Sequence, residues 1–164
     1  MMLFFILYEK KNMEIRDGKE RIEDVKSLII EYTQWLDRDL TFQNIDDELN
    51  NLEGKYCPPQ GEVLIAVDGD RVLGMIAYHR HDDQRCEMKR LYVKPEARKN
   101  HIGQLLIQKI IKHAKDAGFQ EMVLDTIESL QSAIHLYHQV GFEECVPYYD
   151  NPMEDVIYMK KDLL

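Results

Sequence analysis

Positive charge is the first shortage in this 164-residue sequence. Lys and Arg number 21 against 30 Asp and Glu, a formal net charge of −9. That balance argues against nonspecific binding to nucleic acid or to an anionic membrane surface. It favours, weakly, a cationic or amine-bearing substrate. Cysteine is also scarce. Cys57, Cys86 and Cys145 are scattered and odd in number, so they make neither a disulfide framework nor a zinc spacing. A reducing, cytoplasmic compartment is the simplest expectation, and Cys86 and Cys145 read as small core residues. Long hydrophobic runs are missing too. The apolar start, Met1 to Tyr8, is far too short to span a bilayer and lacks a basic start and a small-residue cleavage site. Residues 1–12 therefore read as an extension, with Met13 an alternative start. Residues 13–164 read as one domain, large enough to bury about 70% of its unfolded surface. No repeat, low-complexity tract or linker interrupts it.

What is present is an ordered series of strand and helix patterns. Met13 to Arg16 reads as a first strand. Gly18 to Leu36 is helical, with Ile22, Val25, Leu28, Ile29, Tyr32 and Leu36 on one face. A connection over 35–43 leads to a short helix from Ile45 to Leu52 and a loop over 54–61 containing Pro58-Pro59. Strands over 62–67 and 71–79 flank Asp68-Gly69-Asp70, a hairpin signal. Met122 to Thr126 reads as a strand, Leu130 to Val140 as a helix, and 142–146 and 155–160 as closing strands. Strands followed by strand-helix-strand-helix-strand predict a mixed α/β sheet.

The stretch CEMKRLYVKPEARKNHIGQLLIQKIIKHAKDAGF, residues 86–119, organises the chain. It reads as a strand stopped by Pro95, then a long helix beginning near Asn100 and stopped by Gly118. Ile102, Leu105, Leu106, Ile110, Ala114 and Ala117 recur at helical spacing and predict one buried face. The join is Arg98-Lys99-Asn100-His101-Ile102-Gly103-Gln104. A helix start leaves backbone N–H groups without partners and carries the positive end of the dipole. With two cations and a glycine that lets a ligand approach the backbone, such a join suits a pyrophosphate. An ordinary strand-to-helix connection with solvated basic residues is the alternative reading.

That run resembles the acetyl-CoA motif of the GNAT acetyltransferase superfamily: Arg or Gln, two residues, Gly, one residue, Gly or Ala. Arg98 and Gly103 fall on its first and last positions, and His101 stands where the first glycine usually is. Ala133-Ile134-His135-Leu136-Tyr137, followed by Gly141-Phe142, resembles the second half of the superfamily's cofactor site. Leu130 stands where many relatives have an asparagine. The stretch from Leu124 to Met159 resembles a bacterial subgroup of mostly unassigned substrate.

The resemblance implies the GNAT fold, a twisted mixed sheet splayed near its middle and flanked by helices. It implies acetyl-CoA as co-substrate, held by Leu91, Tyr92 and Val93 as an added strand would be, and by Arg98, Lys99, Asn100, His101, Ile102, Gly103 and Gln104. The expected activity is direct N-acetylation of a primary amine on a small molecule or peptide. Tyr137 matches the tyrosine that points at the cofactor sulfur and protonates it; a phenol packed beside Ile134 and Leu136 is the alternative. Glu87 matches a general base of histone-type members, a role that requires burial to raise its pKa or a water to relay the proton. Its alternative is a strand glutamate paired with Lys89, Arg90 or another cation. By the logic of that fold the acceptor site draws on Trp35, Asp37, Asp39, Phe42, Gln43, Tyr148, Tyr149 and Asn151. A noncatalytic acyl-CoA sensor and a pure interaction domain are the rival functions. A homodimer through the late strands suits the fold. His79 with His81, and His135 with His138, lack a third ligand, so no metal is expected.

Overall fold

The computed structural model describes residues 13–40 and 43–164. The extension expected over residues 1–12 lies outside the described residues. Strand β1 (Met13–Asp17) runs through a 3-10 turn (Gly18–Arg21) into helix α1 (Ile22–Leu36). Two short helices follow, α2 (Ile45–Asn50) and α3 (Leu52–Tyr56). Then come strands β2 (Gly61–Asp68), β3 (Arg71–Arg80) and β4 (Arg85–Val93). Helix α4 (Ile102–Asp116) crosses over to β5 (Glu121–Ile127), and α5 (Gln131–Gln139) precedes β6 (Glu143–Glu144) and β7 (Val156–Asp162).

The seven strands form one sheet in the order β1-β2-β3-β4-β5-β7-β6. Only β4 and β5 pair in parallel, as a strand-helix-strand crossover requires. The sheet is covered on both faces. Leu106, Ile107, Ile110 and Ala114 of α4 pack on one face with Leu64, Ile76, Met122 and Leu124. Val25, Leu28 and Ile29 of α1 pack on the other with Val63, Ile65, Met75 and Tyr92. The expected mixed α/β architecture is thus the observed one.

Four local readings need correction. Leu105 of α4 is 37% exposed, and Ile107 is buried instead. A row at i, i+4 drifts around a 3.6-residue helix, so the stripe from Ile102 to Ala114 carries Ile107 inward and Leu105 outward. Ala117 lies past the last turn and is exposed. The single helix expected over 45–52 is two, broken at Asn51, whose side chain accepts a hydrogen bond from the Gly54 amide. The expected strand over 142–146 shrinks to two residues, leaving 145–155 as a loop.

Two features of β4 prepare a site. Met75 faces Tyr92 and Ala77 faces Lys89, so three steps on β4 match two on β3. The extra residue is a bulge, and Arg90 takes a φ of +62° there. Strand β4 also leaves β5 early. Arg85, Cys86 and Glu87 face Glu121, Met122 and Val123, and the ladder stops. Among the described residues, the side of β4 toward β5 has no strand partner from Met88 to Val93.

Candidate active site

Where β4 and β5 part, a cleft of about 680 Å³ opens. Its walls are β4 from Met88 to Val93, the start of α4, the exposed side of α5, the end of β5 and the exit of α1. Of the residues expected to hold a cofactor, Leu91, Tyr92, Val93, Arg98, Lys99, His101, Ile102, Gly103, Gln104 and Tyr137 all line it. Asn100 does not. Its side-chain amide donates to the carbonyls of Ala97 (3.0 Å) and Arg98 (3.4 Å), so it braces the turn.

The start of α4 is open. Lys99 and His101 take left-handed φ values of +68° and +60°, an arrangement of successive amides that suits an anion. The His101 side chain makes no cap, and the first intrahelical bond runs from Leu105 N to His101 O at 3.1 Å. The amides of Ile102, Gly103 and Gln104 therefore have no partner within the helix. A Cβ on Gly103 would meet Leu136 Cδ2 at 3.4 Å and Val93 Cγ2 at 4.0 Å, ordinary contacts, so that glycine borders open space. Arg98, which also lines the cleft, is engaged by its neighbours. Its guanidinium lies 4.8 Å from the Trp35 ring centre and 5.8 Å from that of Tyr92, and its Nε donates to Val93 O at 3.0 Å.

Tyr137 packs edge-on against Phe142, with ring centres 6.0 Å apart. It is buried, yet its hydroxyl takes no hydrogen bond among the described residues and lines the cleft. Burial pushes the phenol above its ordinary pKa, with the nearby Tyr32 and Asp125 adding to the effect. It therefore stays protonated and remains a donor.

Glu87 behaves otherwise. Burial alone would raise its carboxyl, as a base requires. The hydrogen bond from His79 (2.8 Å), the charge of Lys89 (3.5 Å) and the Tyr148 hydroxyl (2.5 Å) outweigh that and hold it at about 2. It sits beside the cleft rather than among its lining residues. Of the two routes by which Glu87 could serve as a base, a raised pKa is not met: the carboxylate is a buried ion pair, with Lys89 as one of the partners named for the alternative, and the route through a relaying water is the one left.

The acceptor half is fastened by side chains. Arg90, projected by the bulge, donates to Glu48 Oε2 at 2.8 Å and Oε1 at 3.2 Å, and to Gln43 Oε1 at 3.1 Å. Tyr56 and Lys55 also reach Glu48 Oε1, at 2.9 and 2.6 Å. Burial would raise the Glu48 carboxyl, but Arg90 and Lys55 hold it at about 2. Arg38 forks onto Asp155 at 2.8 and 3.0 Å, tying the exit of α1 to the 145–155 loop. Of the expected acceptor residues, Trp35, Gln43 and Asn151 line the cleft. Asp37, the left-handed cap of α1, and Asp39 do not. Phe42 lies outside the described residues. Tyr148 is committed to Glu87, and Tyr149 donates to Asp125 behind the wall.

Asp125, Tyr32 and the Glu48–Arg90 pair were not among the expected site residues. Asp125 interrupts a buried run on β5, Met122 to Ile127, which was the one signal for it. Among the described residues no three His, Cys, Asp or Glu side chains come together as a metal site, and no helix is long and apolar enough to cross a membrane.

The sequence model described as the acetyltransferase (GNAT) family matches residues 23–142. A Schizosaccharomyces pombe protein described as an uncharacterized N-acetyltransferase is 45% identical over 144 residues, 87% of this chain and 88% of the relative. A Dictyostelium discoideum protein of like description is 30% identical, covering 92% of this chain and 99% of the relative. Both are eukaryotic, so the bacterial subgroup expected from residues 124–159 is not borne out. Among solved structures, a GNAT-family acetyltransferase of Staphylococcus aureus superposes with a TM-score of 0.77 at 22% identity, over 93% of this chain and 99% of that one. A Salmonella typhimurium acetyltransferase solved with its cofactor acetyl-CoA gives 0.73 at 21%, over 93% and 94%. At such identities the likeness speaks for the fold alone.

Proposed function

The chain belongs to the acetyltransferase (GNAT) family, and from that premise we propose that it transfers an acetyl group from acetyl-CoA to an amine. The observation that carries this reading is the parting of β4 and β5 at an open helix start. The unpaired edge from Met88 to Val93 offers N–H and C=O groups to an amide-bearing arm, as a neighbouring strand would. The amides at the start of α4, with Arg98 and Lys99 beside them, offer donors and charge to a pyrophosphate. When bound, acetyl-CoA supplies an activated acyl group on sulfur.

The chain's own residues then have three tasks. Free β4 amides give hydrogen bonds to developing negative charge on the acyl oxygen. The Tyr137 hydroxyl, held protonated by its burial, donates to the departing sulfur. A phenol this weakly acidic orients and hydrogen-bonds the sulfur more readily than it loses its proton outright. The attacking nitrogen must be neutral, and Glu87 at about 2 is a poor acceptor for its proton. A water relay from the acceptor half fits better.

The test is thermal unfolding with acetyl-CoA, on wild type and Gly103→Glu. Ligand at 100 times its dissociation constant adds about 2.7 kcal/mol. A Cβ at Gly103 makes ordinary contacts, and the rest of the glutamate is expected to extend into the cleft that Gly103 lines. The expected result is a clear shift in wild type and none in the variant. No shift in wild type overturns the reading. A shift without thiol release over an amine panel makes the protein an acyl-CoA sensor instead, and Tyr137→Phe then changes nothing.

A further inference from the structure

The acceptor half of the cleft has an uneven charge ledger. Arg38 is paired with Asp155, Lys55 and Arg90 with Glu48, and Lys89 with Glu87. Asp125, unlike Asp155, Glu48 and Glu87, lines the cleft itself, and among the described residues it has no cation partner. Its Oδ2 accepts from the Tyr149 hydroxyl and from Asn151 Nδ2 at 2.9 Å, both neutral donors. The same Asn151 nitrogen lies 2.8 Å from the Tyr149 hydroxyl, so the three groups fix one another. Oδ1 accepts no hydrogen bond, and no cation reaches the carboxylate, among the described residues. The residue is half-buried, lines the cleft, and lies near enough to Tyr137 to affect its ionisation.

A carboxylate held rigid on one oxygen and left open on the other, with the nearby Lys89 and Arg90 already paired, is completed by a cation from outside. We propose that Asp125, oriented by Tyr149 and Asn151, is the recognition group for the acceptor, which binds as an ammonium ion and gives its proton to water before attack, and that the acceptor is an alkyl- or arylalkylamine without a carboxylate beside its nitrogen. Tyr32, Trp35 and Met153 supply apolar wall for its carbon skeleton. A carboxylate next to the nitrogen would face Asp125, while among the described residues Lys89 and Arg90 are already paired and the cations without a carboxylate partner, Arg98 and Lys99, lie toward the start of α4. This inference rests on the acetyl-transfer reading above.

The experiment measures thiol release with matched amines, tyramine against tyrosine and cadaverine against lysine, on wild type and Asp125→Asn. Asparagine keeps the shape and removes the charge. Wild type is expected to prefer the decarboxylated partner of each pair. Asp125→Asn is expected to raise KM for that partner roughly 10- to 100-fold, the worth of one charge-assisted hydrogen bond, with kcat within a few-fold. Tyr149→Phe, which frees Oδ2 of one donor, should raise KM less. Calorimetric titration of tyramine into the CoA-saturated protein gives a second readout, with binding lost in Asp125→Asn. The acetyl-CoA thermal shift should be the same in all three proteins. If the shift is present and tyrosine matches tyramine, or Asp125→Asn leaves KM unchanged, the inference is overturned. If the shift is absent in wild type, it is the acetyl-transfer reading that has failed.

Discussion

In the half of the cleft bounded by α4, the polar groups without partners among the described residues belong to the backbone. They are the β4 edge from Met88 to Val93 and the amides of Ile102, Gly103 and Gln104. In the half bounded by α1 and the 145–155 loop, the groups are side chains gripped by other side chains: Arg90 by Glu48, Arg38 by Asp155, Asp125 by Tyr149. Backbone donors are set by strand register and helix geometry, so one half is fixed once the fold is fixed. The other half depends on which side chains meet, and single substitutions can rewrite it. The contrast separates a ligand site common to a fold from one particular to a sequence.

The contrast predicts where stability is lost. Glu48→Ala strands a buried guanidinium and a buried phenol, Arg90 and Tyr56. Removing one partner of such a pair typically costs about 3–5 kcal/mol, and urea unfolding measures it. A loss under about 1 kcal/mol would mean that the side-chain half is no more interlocked than the backbone half.

The pH dependence belongs to the same half. Glu48 and Glu87 are held at about 2, against an ordinary 4.5. Their folded-state values are depressed, so between those limits the unfolded chain binds more protons than the folded one. The stability they contribute is fully present above about pH 4.5 and is lost as pH falls through about 2. Unfolding midpoints should hold steady above that window and drop within it. Glu87→Gln should flatten part of the drop, and an unchanged acid limb would disconnect the ion pairs from acid stability.

The smallest effect lies in the backbone half. His101 occupies a left-handed φ of +60° at the open start of α4. A side chain there costs about 1–2 kcal/mol, of which glycine's extra chain entropy gives back about 0.5–1. His101→Gly should therefore raise stability by about 1 kcal/mol or less, while the acetyl-CoA shift stays in place. A loss of stability would show that the imidazole holds the turn.

The same division explains what could be read before the structure was known. The β4–α4 join was legible because its signals are local: Pro95, two cations, Gly103, and a helix pattern ending at Gly118. Tyr137 was legible from its neighbours Gly141 and Phe142. The acceptor half was legible only in part: Trp35, Gln43 and Asn151 line the cleft as expected, but the pairings that fasten it were not legible. Arg90 and Glu48 lie 42 residues apart, and Asp125 and Asn151 lie 26 apart. Their meeting depends on a bulge and on a long loop, neither of which leaves a periodic trace. Glu87 shows the same limit. Its position on β4 could be counted, but the pairing that sets its charge comes from His79 across the ladder and Tyr148 in the loop. The expected set for α4 failed at Leu105 for a simpler reason, the drift of a 3.6-residue helix against a four-residue step.

The stack of Arg98 on Trp35 lies where the two halves touch. Trp35 is the sole tryptophan in the sequence and is 43% exposed. Any anion that draws the Arg98 guanidinium toward the start of α4 strips a cation from the indole face, and the emission of that one fluorophore changes. Acetyl-CoA that displaces Arg98 is therefore expected to change Trp35 emission, which a fluorescence titration checks. Ligand entry can be followed in a stopped-flow instrument without a label and without an acceptor present, which separates the rate of loading one half of the cleft from the chemistry of the other.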